Sequence, residues 1–366
     1  MATDLPFDLT LTEEQALTRE SVRRFVERHV RPHARSADEG GAAPDGFYQN
    51  SAELGLALMP IPEAIGGAGQ ARDPMSNVLT AEDLGEGDIS LAIGALSPLS
   101  FVNAVLDFGS AEQQETFLPA FLEADFVPAS IALMESRAAF DPADLRCTAK
   151  RDGDDYVISG EKRLVPFGRS AVMLLVIASV EGEGPAAFVV PRGAAGMSAE
   201  AQPYMGLRAL DTATVTFEQV RVPALNRLEN FDLERFVDLS RLGLAALAVG
   251  CCQAVLDYSI PFVKEREAFG EPIAWRQSVA FMVANIGIEL EGMRLLVWKA
   301  ASRAAQGLPF HREAYLARVL CAEKAMEIGT NGVQLFGGAG FIRDYPLEMW
   351  YRNLRAIGVL EGTVLV

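Results

Sequence analysis

The sequence predicts an α+β fold with three consecutive parts: an N-terminal α-helical domain (1–127), a middle β domain (128–224) and a C-terminal four-helix bundle (225–366). Three observations support this prediction. Apolar residues recur with helical spacing in the first third, short β-rich runs separated by turn residues fill the middle, and long helical stretches joined by short loops follow. No internal repeat or low-complexity linker interrupts the 366 residues.

The first domain begins with a helix-start signal. Thr12 and Gln15 have the spacing of a capping box, and the apolar stripe that follows predicts a helix over 12–35 with Pro32 at its exit. Helical patterns continue to about residue 125. The Gly/Pro-rich run at 60–69 predicts an ordered loop between two of these helices.

The middle segment has the pattern of a compact sheet. Asp152-Gly153 is a hairpin-type turn between two β-rich runs. The apolar run at 172–180 is suited to a strand that is buried on both faces, and the domain should end near Pro223. After Asn226 the helical period returns and predicts three long helices and one shorter one, over Leu233 to Lys264, Trp275 to Gln306, Arg312 to Phe336 and Leu347 to Arg355.

The charge excludes several classes of partner. The chain has 32 Lys plus Arg against 49 Asp plus Glu, a formal charge of −17, which disfavours nucleic acid and anionic membrane surfaces. An anionic ligand therefore needs a few local donors. The uncharged stretch Leu242–Leu256 is shorter than the roughly 20 residues that cross a bilayer, so we expect a buried helix there. The N-terminus lacks the features of a secretory signal, which makes a cytoplasmic location the expectation.

The cysteines and histidines do not form a recognisable site. The four cysteines form no CxxC pattern and the three histidines do not cluster with them, so we expect buried thiols, no disulfide framework and no metal site.

Several strings occur in the order typical of one enzyme family. They are LGLALMPIPEAIGGAG, MGLRALDTATVTFEQVRVP, REAFGEPIAWRQ, QLFGGAGFIRDYPLEMWYRN and LEGT. In these strings and in its domain order the chain resembles the acyl-CoA dehydrogenases, which oxidise acyl-CoA thioesters to 2-enoyl-CoA with FAD. The resemblance implies a homo- or hetero-tetramer with a paralogous subunit, an acyl-CoA substrate, and an electron-transfer flavoprotein or similar acceptor.

The resemblance also implies a site that two subunits share. One subunit's β domain holds the flavin ring, and the neighbour's bundle holds the pyrophosphate and adenine. In the bundle, Arg266 and Phe269 match the residues that reach the neighbour's FAD. Gln334, Gly337 and Gly338 match the adenosine-lining segment, although the two glycines are equally suited to ending a helix.

Two carboxylates match bases of the family. Glu361 in LEGT corresponds to the base of the medium- and short-chain branches, and Glu234 to that of the isovaleryl and long-chain branches. We favour Glu361, because Glu234 beside Arg235 is also typical of a helix-surface ion pair. Thr363 in the same LEGT segment is a further cofactor-binding candidate.

The β domain departs from the family pattern at the flavin ring. Where the family has a segment close to TEPGAGSD, this chain has MESRAAFD. Met134 replaces a threonine that bonds the ring, Ala139 replaces a glycine, and Phe140 replaces a serine near the ligand's phosphates. A thioether donates no hydrogen bond, so this loop has lost donors for the cofactor.

The second ring-facing segment has changed in the same way, because the family's WITNG is LVPFG here. Leu164 lacks the indole, and Pro166 lacks both the hydroxyl and the backbone N–H. Arg137 and Arg163 are new charges in these two loops, which we expect either to fill the vacated space or to pair with Glu135.

The asymmetry between the two halves favours one subunit of a mixed α₂β₂ acyl-CoA dehydrogenase. Two alternatives remain open at this point: a self-sufficient homo-oligomeric dehydrogenase with an altered flavin pocket, and a flavin-free binding or scaffold subunit of the same fold.

Overall fold

A computed structural model describes residues 10–123 and 125–366 and confirms the three-part α+β fold. The residues used for the signal-sequence expectation lie partly outside it, since residues 1–9 are not among the described ones. The N-terminal part contains six helices within the described residues. They are α1 (Glu13–Phe25), α2 (Arg31–Gly40), α3 (Phe47–Ala52), α4 (Pro74–Gly87), α5 (Ile89–Phe108) and α6 (Ala111–Phe117).

The first helix starts as predicted, but the helical path continues beyond the predicted end at residue 35, through a π turn and α2 to Gly40. The Thr12 hydroxyl accepts a hydrogen bond from the Gln15 N–H at 3.1 Å, and the Gln15 side chain accepts one from the Thr12 N–H, so the capping box is confirmed. The predicted exit at Pro32 is wrong. A π-helical turn at 26–30 leads into α2, and Pro32 lies in the first turn of α2, where a missing N–H costs no helical hydrogen bond.

Seven strands form one mixed sheet in the middle part. They are β1 (Ala129–Ala132), β2 (Thr148–Asp152), β3 (Asp155–Pro166), β4 (Met173–Val180), β5 (Gly184–Pro191), β6 (Met197–Ala201) and β7 (Thr212–Pro223). The order is β1-β4-β2-β3-β7-β6, and β5 also pairs with β4. Strand β4 runs parallel to β1 and β2, and the other pairs are antiparallel.

The predicted doubly buried strand is confirmed in β4. Leu175 and Ile177 pack into the main core with the helices, while Leu174 and Val176 pack into a second core on the other face of the sheet. The Asp152-Gly153 turn joins β2 to β3, and Gly153 has the positive φ that such a turn requires.

The C-terminal part contains the three long helices and the shorter one that the pattern predicts. They are α7 (Leu233–Glu265), α8 (Gln277–Ala305), α9 (His311–Phe336) and α11 (Leu347–Ile357), with the single turn α10 (Gly338–Phe341) between the last two. A small hairpin, β8 (Glu267–Ala268) and β9 (Glu271–Pro272), follows α7.

Helices α7 and α9 run side by side in the same direction. His311, the first residue of α9, hydrogen-bonds Asp238 near the start of α7, and the rings of Phe262 and Phe336 stack at 3.7 Å near the two C-termini. The bundle therefore has two distinct ends, and each carries a different set of the predicted site residues.

Two helices within the described residues, α5 and α7, are long and apolar enough to cross a membrane by length and composition alone. Of their most apolar windows, 94% and 83% respectively are buried inside the chain, so they act here as core helices. The buried helix predicted around Leu242–Leu256 is confirmed as part of α7, and the longer uncharged run at 89–106 forms α5. All four cysteines are buried and free, as expected.

Candidate functional site

The first set of predicted residues lies where α7 and α9 end. We call Arg266, Phe269, Gln334, Gly337 and Gly338 the glycine end. Arg266 is exposed at the C-cap of α7, and no carboxylate among residues 10–123 and 125–366 pairs with its guanidinium. A free guanidinium on so acidic a chain is a ready donor for an anion that comes from outside.

Phe269 is the most exposed large apolar side chain within the described residues, with 95% of its surface accessible. It has a φ of 57° in the β8–β9 hairpin, and the Arg276 guanidinium lies 5.6 Å from its ring centroid. An aromatic ring presented in this way is typical of a contact surface.

The end of α9 leaves open space around its backbone. Gln334, Gly337 and Gly338 are all exposed, and a Cβ added to either glycine would meet nothing within 4 Å. Gly337 has a φ of 55° and a ψ of −129°, which a side chain would strain. The glycines thus end the helix, as predicted, and leave the backbone around them accessible.

The second set lies near the opposite end of the bundle, around Glu361. One carboxylate oxygen, Oε1, lies 3.5 Å from Arg241 Nε and 3.6 Å from Arg318 Nε. The other, Oε2, is buried and has no donor within the part of the chain that the structure describes. The Glu361 N–H donates to the Met134 sulfur at 3.4 Å. We call Glu361, Met134, Arg241 and Arg318 the Glu361 end.

Arg318 holds the backbone before Glu361 as well as its side chain. Its guanidinium donates to the carbonyls of Ile357 and Leu360, and burial lowers the pKa of Arg318. Thr363 is buried two residues beyond Glu361 and donates its hydroxyl to the Glu361 carbonyl at 3.4 Å. The loop that carries Glu361 is therefore fixed from both sides.

Glu234 lies at the exposed start of α7. The ion pair with Arg235, which was the other interpretation of Glu234, is not among the described contacts. Its carboxylate is 3.9 Å from His311 Nδ1, while Arg235 lies over the Phe310 ring. His311 in turn hydrogen-bonds Asp238 at 2.9 Å. The sequence alone does not indicate the contact between Asp238 and His311. They are 73 residues apart, and only the parallel packing of α7 and α9 brings them together.

The two ends are far apart within one chain. Arg241, which contacts Glu361, and Arg266 are 25 residues apart along α7, a helical rise of about 37 Å. A ligand that contacts both ends of one chain would have to span about that distance.

We call residues 134–141 and 164–168 the ring-facing loops. Their apolar replacements lie in the core or pack against it. Met134 is buried in the main core, and Phe140 and Leu164 pack against it. The Pro166 carbonyl accepts a hydrogen bond from the Ser130 hydroxyl, and the Arg163 N–H donates to the Met134 carbonyl. The loops are thus joined to each other and to the protein interior, with no side-chain donor at these replaced positions.

Two residues of these loops have the left-handed backbone that the family's residues at the same positions favour. Ala139, at the position of a family glycine, has a φ of 52°, and Phe167, at the position of the asparagine, also has a φ of 52°. Glycine and asparagine adopt this region readily, whereas alanine and phenylalanine are strained there. The Phe167 ring packs against Tyr48 and Phe126. Ala139 and Phe167 therefore occupy backbone positions that suit glycine and asparagine better than the residues present.

The expectation that Arg137 or Arg163 pairs with Glu135 is wrong. Arg137 pairs with Asp144 at 2.8 Å and Arg163 with Glu161 at 2.9 Å. Both arginines find carboxylates close by in the sequence, so neither reaches the buried Glu135.

Glu135 instead pairs with Lys162, which is completely buried, at 2.8 Å. Burial alone raises the pKa of Glu135, but the Lys162 charge and hydrogen bond, with the N–H groups of Arg146 and Cys147, bring that pKa below its ordinary value. Burial lowers the pKa of Lys162. Sequence reasoning missed this pair because the pattern of β3 does not show which face Lys162 occupies.

Comparison with known proteins assigns all three parts to one family. Residues 12–125, 130–220 and 232–365 match the models for the N-terminal, middle and C-terminal domains of acyl-CoA dehydrogenase. A probable acyl-CoA dehydrogenase of Bacillus subtilis, YngJ, is 33% identical over 96% of this chain and 95% of its own length.

Two solved structures have nearly the same fold. Butyryl-CoA dehydrogenase from Megasphaera elsdenii superimposes with a TM-score of 0.88 at 28% identity, covering 96% of this chain and 94% of the other. A chain solved in work on the electron transferring flavoprotein of Acidaminococcus fermentans has a TM-score of 0.88 at 29% identity, covering 96% and 95%.

Proposed function

The chain belongs to the acyl-CoA dehydrogenase family, whose members are FAD-dependent oxidoreductases, and on that premise we propose that it is one subunit of a heteromeric acyl-CoA dehydrogenase. In this proposal its glycine end binds the FAD whose ring is held by the β domain of a paralogous partner. Its own ring-facing loops do not hold a flavin tightly.

One observation carries the proposal: Arg266 at the glycine end is exposed and has no described carboxylate partner, whereas in the ring-facing loops Met134, Glu135 and residues 165–168 are buried and the charged side chains are paired within the chain. The separation of about 37 Å along α7 supports a cofactor shared between two chains. A second copy of this chain would not supply the missing donors to the flavin ring, because its loops lack the same side chains. A partner that still has the ring donors completes the site.

The residues fit FAD at one end and not at the other. At the glycine end, Arg266 would donate to the pyrophosphate, and Gly337 and Gly338 would let the backbone approach the adenosine. At the Glu361 end, Met134, Leu164 and Pro166 offer the ring no side-chain donor. An acceptor buried without its partner costs about 1–3 kcal/mol, so these loops would hold a flavin ring weakly.

The chemistry of the family needs a carboxylate to remove the α-proton of the thioester. FAD supplies the hydride acceptor for the β-carbon when it is bound. Glu361 is the candidate base of this chain, because one of its oxygens is buried and free of donors and hence available to accept a proton. Glu234 remains the alternative base, although its exposed position against His311 gives it no desolvated surroundings.

That available oxygen favours a second candidate function, a self-sufficient homo-oligomeric dehydrogenase. In it, Glu361 would act beside a flavin that backbone groups alone hold against Met134 and Pro166. The two candidates differ in one measurable property, which is whether the chain binds FAD without a partner.

Both candidates require an assembly, and the surface of the bundle is suited to one. Helix α8 exposes Phe281, Ile288 and Leu295 at intervals of seven residues, next to the exposed Trp275. An apolar stripe of this kind is typical of a subunit interface. We further propose a tetramer, an acyl-CoA substrate, an electron-transfer flavoprotein or similar acceptor, and a cytoplasmic location.

The test is the flavin content of the purified protein, measured by visible absorbance with the chain expressed alone and together with a paralogous chain encoded beside it. We expect far less than one FAD per chain alone and one FAD for each pair of chains in the mixed assembly. That mixed assembly should be bleached by an acyl-CoA.

One FAD per chain in the protein expressed alone, with bleaching by an acyl-CoA, would overturn the proposal in favour of the second candidate. A flavin-free mixed assembly would overturn both and point to a scaffold subunit.

A further inference from the structure

The carboxylate of Glu361 is connected to the protein surface through a chain of charged side chains. Its first link is Arg241, which lies 3.5 Å from Glu361 and 3.9 Å from Asp238, one turn earlier on α7. Asp238 then hydrogen-bonds His311 at 2.9 Å. More than half of the His311 side chain is exposed, whereas that of Asp238 is only 3% exposed.

The two arginines that contact Glu361 differ in their freedom. Arg318 is fixed by the carbonyls of Ile357 and Leu360 and has no second carboxylate among its described contacts. Arg241 has no such backbone anchor among its described contacts and lies between two carboxylates, Asp238 and Glu361. Arg241 is therefore the partner that can shift its position from one carboxylate to the other.

The carboxylate of Asp238 is buried and needs a nearby cation. The position of Arg241 therefore depends on whether His311 already supplies that cation. When His311 carries its proton, it supplies that cation, and Arg241 remains with Glu361. When His311 is neutral, Asp238 draws on Arg241, and Glu361 keeps only Arg318. A histidine is the side chain that ordinarily makes this change between pH 5 and 8.

We propose that His311 is a pH-responsive positioning residue for Glu361, acting through Asp238 and Arg241. Protonation of His311 holds the Glu361 carboxylate between two arginines, and deprotonation releases it from one of them. The inference concerns the carboxylate alone, so it stands or fails independently of whether a flavin binds in front of Glu361.

The other charged groups near His311 and Asp238 do not reverse the expected effect of pH on the position of Arg241. Glu234 lies 3.9 Å from His311 and adds no cation, and Arg235 is held over the Phe310 ring. Glu313, two residues beyond His311, has Arg303 as its partner at 3.8 Å. Burial raises the pKa of Asp238, and a proton on Asp238 would act on Arg241 in the same direction as one on His311. A pH dependence that persists in His311→Gln would therefore assign the response to Asp238 and overturn the role of His311.

The test is the loss of thermal stability that Glu361→Gln causes, measured at pH 5.5 and at pH 8.5 in three backgrounds of the full chain. In the otherwise unchanged protein, we expect the melting-temperature loss to be at least twice as large at pH 5.5, where Arg241 remains with Glu361. In His311→Gln the loss should be small at both pH values, because Asp238 holds Arg241 throughout.

The third background, Asp238→Asn, separates positioning from a merely structural role. Removing the competitor should leave Arg241 with Glu361 at every pH, so the loss should be large at both pH values, opposite to the effect of His311→Gln. His33→Gln is the matched control, since His33 is exposed on α2, and it should keep the pH dependence unchanged.

A loss that is equal at the two pH values in the otherwise unchanged protein would overturn the proposal. The proposal would also be overturned if His311→Gln and Asp238→Asn changed the melting-temperature loss in the same direction. Should Glu361→Gln fail to fold, Arg241→Gln tests the same competition with the pH dependence reversed: its melting-temperature loss should be larger at pH 8.5, where Arg241 is the cation of the buried Asp238, and small at both pH values in Asp238→Asn.

Discussion

The glycine end and the ring-facing loops of the β domain both match segments that contact one cofactor in the family. They differ in whether their polar and charged groups have partners within this chain. At the glycine end, Arg266 has no described carboxylate partner and Gly338 is open to solvent. In the loops, Glu135 is paired, Arg137 is paired and Met134 is packed in the core. The residues that we propose for a ligand are left available at the glycine end, whereas the charged residues of the loops have partners inside the chain.

The largest expected effect breaks the internal pair of the loops. Glu135→Gln leaves the Lys162 ammonium buried without its counter-charge, and we expect a loss of about 3–5 kcal/mol in the free energy of unfolding, measured by urea denaturation. A double variant, Glu135→Gln with Lys162→Met, should recover part of that loss. A loss below about 1 kcal/mol in the single variant would show that the loop does not depend on this pair.

The same pair predicts a pH dependence. Since the pKa of Glu135 is lowered in the folded protein, its contribution to stability is fully present above the ordinary glutamate pKa and is lost only as the pH falls through the lowered value. The difference in stability between the protein and Glu135→Gln should therefore stay constant from pH 7 to pH 5 and shrink at lower pH. Shrinkage already at pH 6 would contradict this account.

A smaller effect restores the missing donors. Met134→Thr with Pro166→Thr returns two hydroxyls and one backbone N–H to the ring-facing loops, where Ala139 and Phe167 have the positive φ that glycine and asparagine favour. Each recovered hydrogen bond contributes about 1 kcal/mol, so FAD affinity of the isolated chain should rise about tenfold or more in a fluorescence titration.

The matched control for this gain is Met134→Leu with Pro166→Ala, which changes the same positions without adding a side-chain donor. An equal gain in both double variants would show that lost packing, and not recovered donors, governs the binding of FAD.

The smallest effect compares two glycines. Gly338→Ala is unstrained in the chain and should leave its stability within about 0.5 kcal/mol, yet it should weaken FAD binding in the mixed assembly severalfold. Gly337→Ala adds a strained φ and should lower both properties. Unchanged FAD affinity in Gly338→Ala, determined by titrating the apo-assembly, would mean that no ligand approaches this backbone.

The sequence predicted the elements better than the contacts. Helix and strand positions follow from local periodicity and caps, as the capping box at Thr12 shows. The pairing of Glu135 with Lys162 and the network from His311 to Glu361 depend on which side chains face each other after α7, α9 and β3 have packed. Pro32 was misplaced because a preceding π turn, invisible in the pattern, moved it into the first turn of a new helix.

The most direct test of the shared site places Arg266→Ala in one kind of chain at a time. In the mixed assembly, the account predicts that Arg266→Ala in this chain lowers FAD affinity about 10- to 100-fold, as the loss of a charged hydrogen bond requires. The equivalent change in the partner alone should leave FAD content unaltered. Loss of FAD from the partner's variant, with full retention in this chain's variant, would contradict the account.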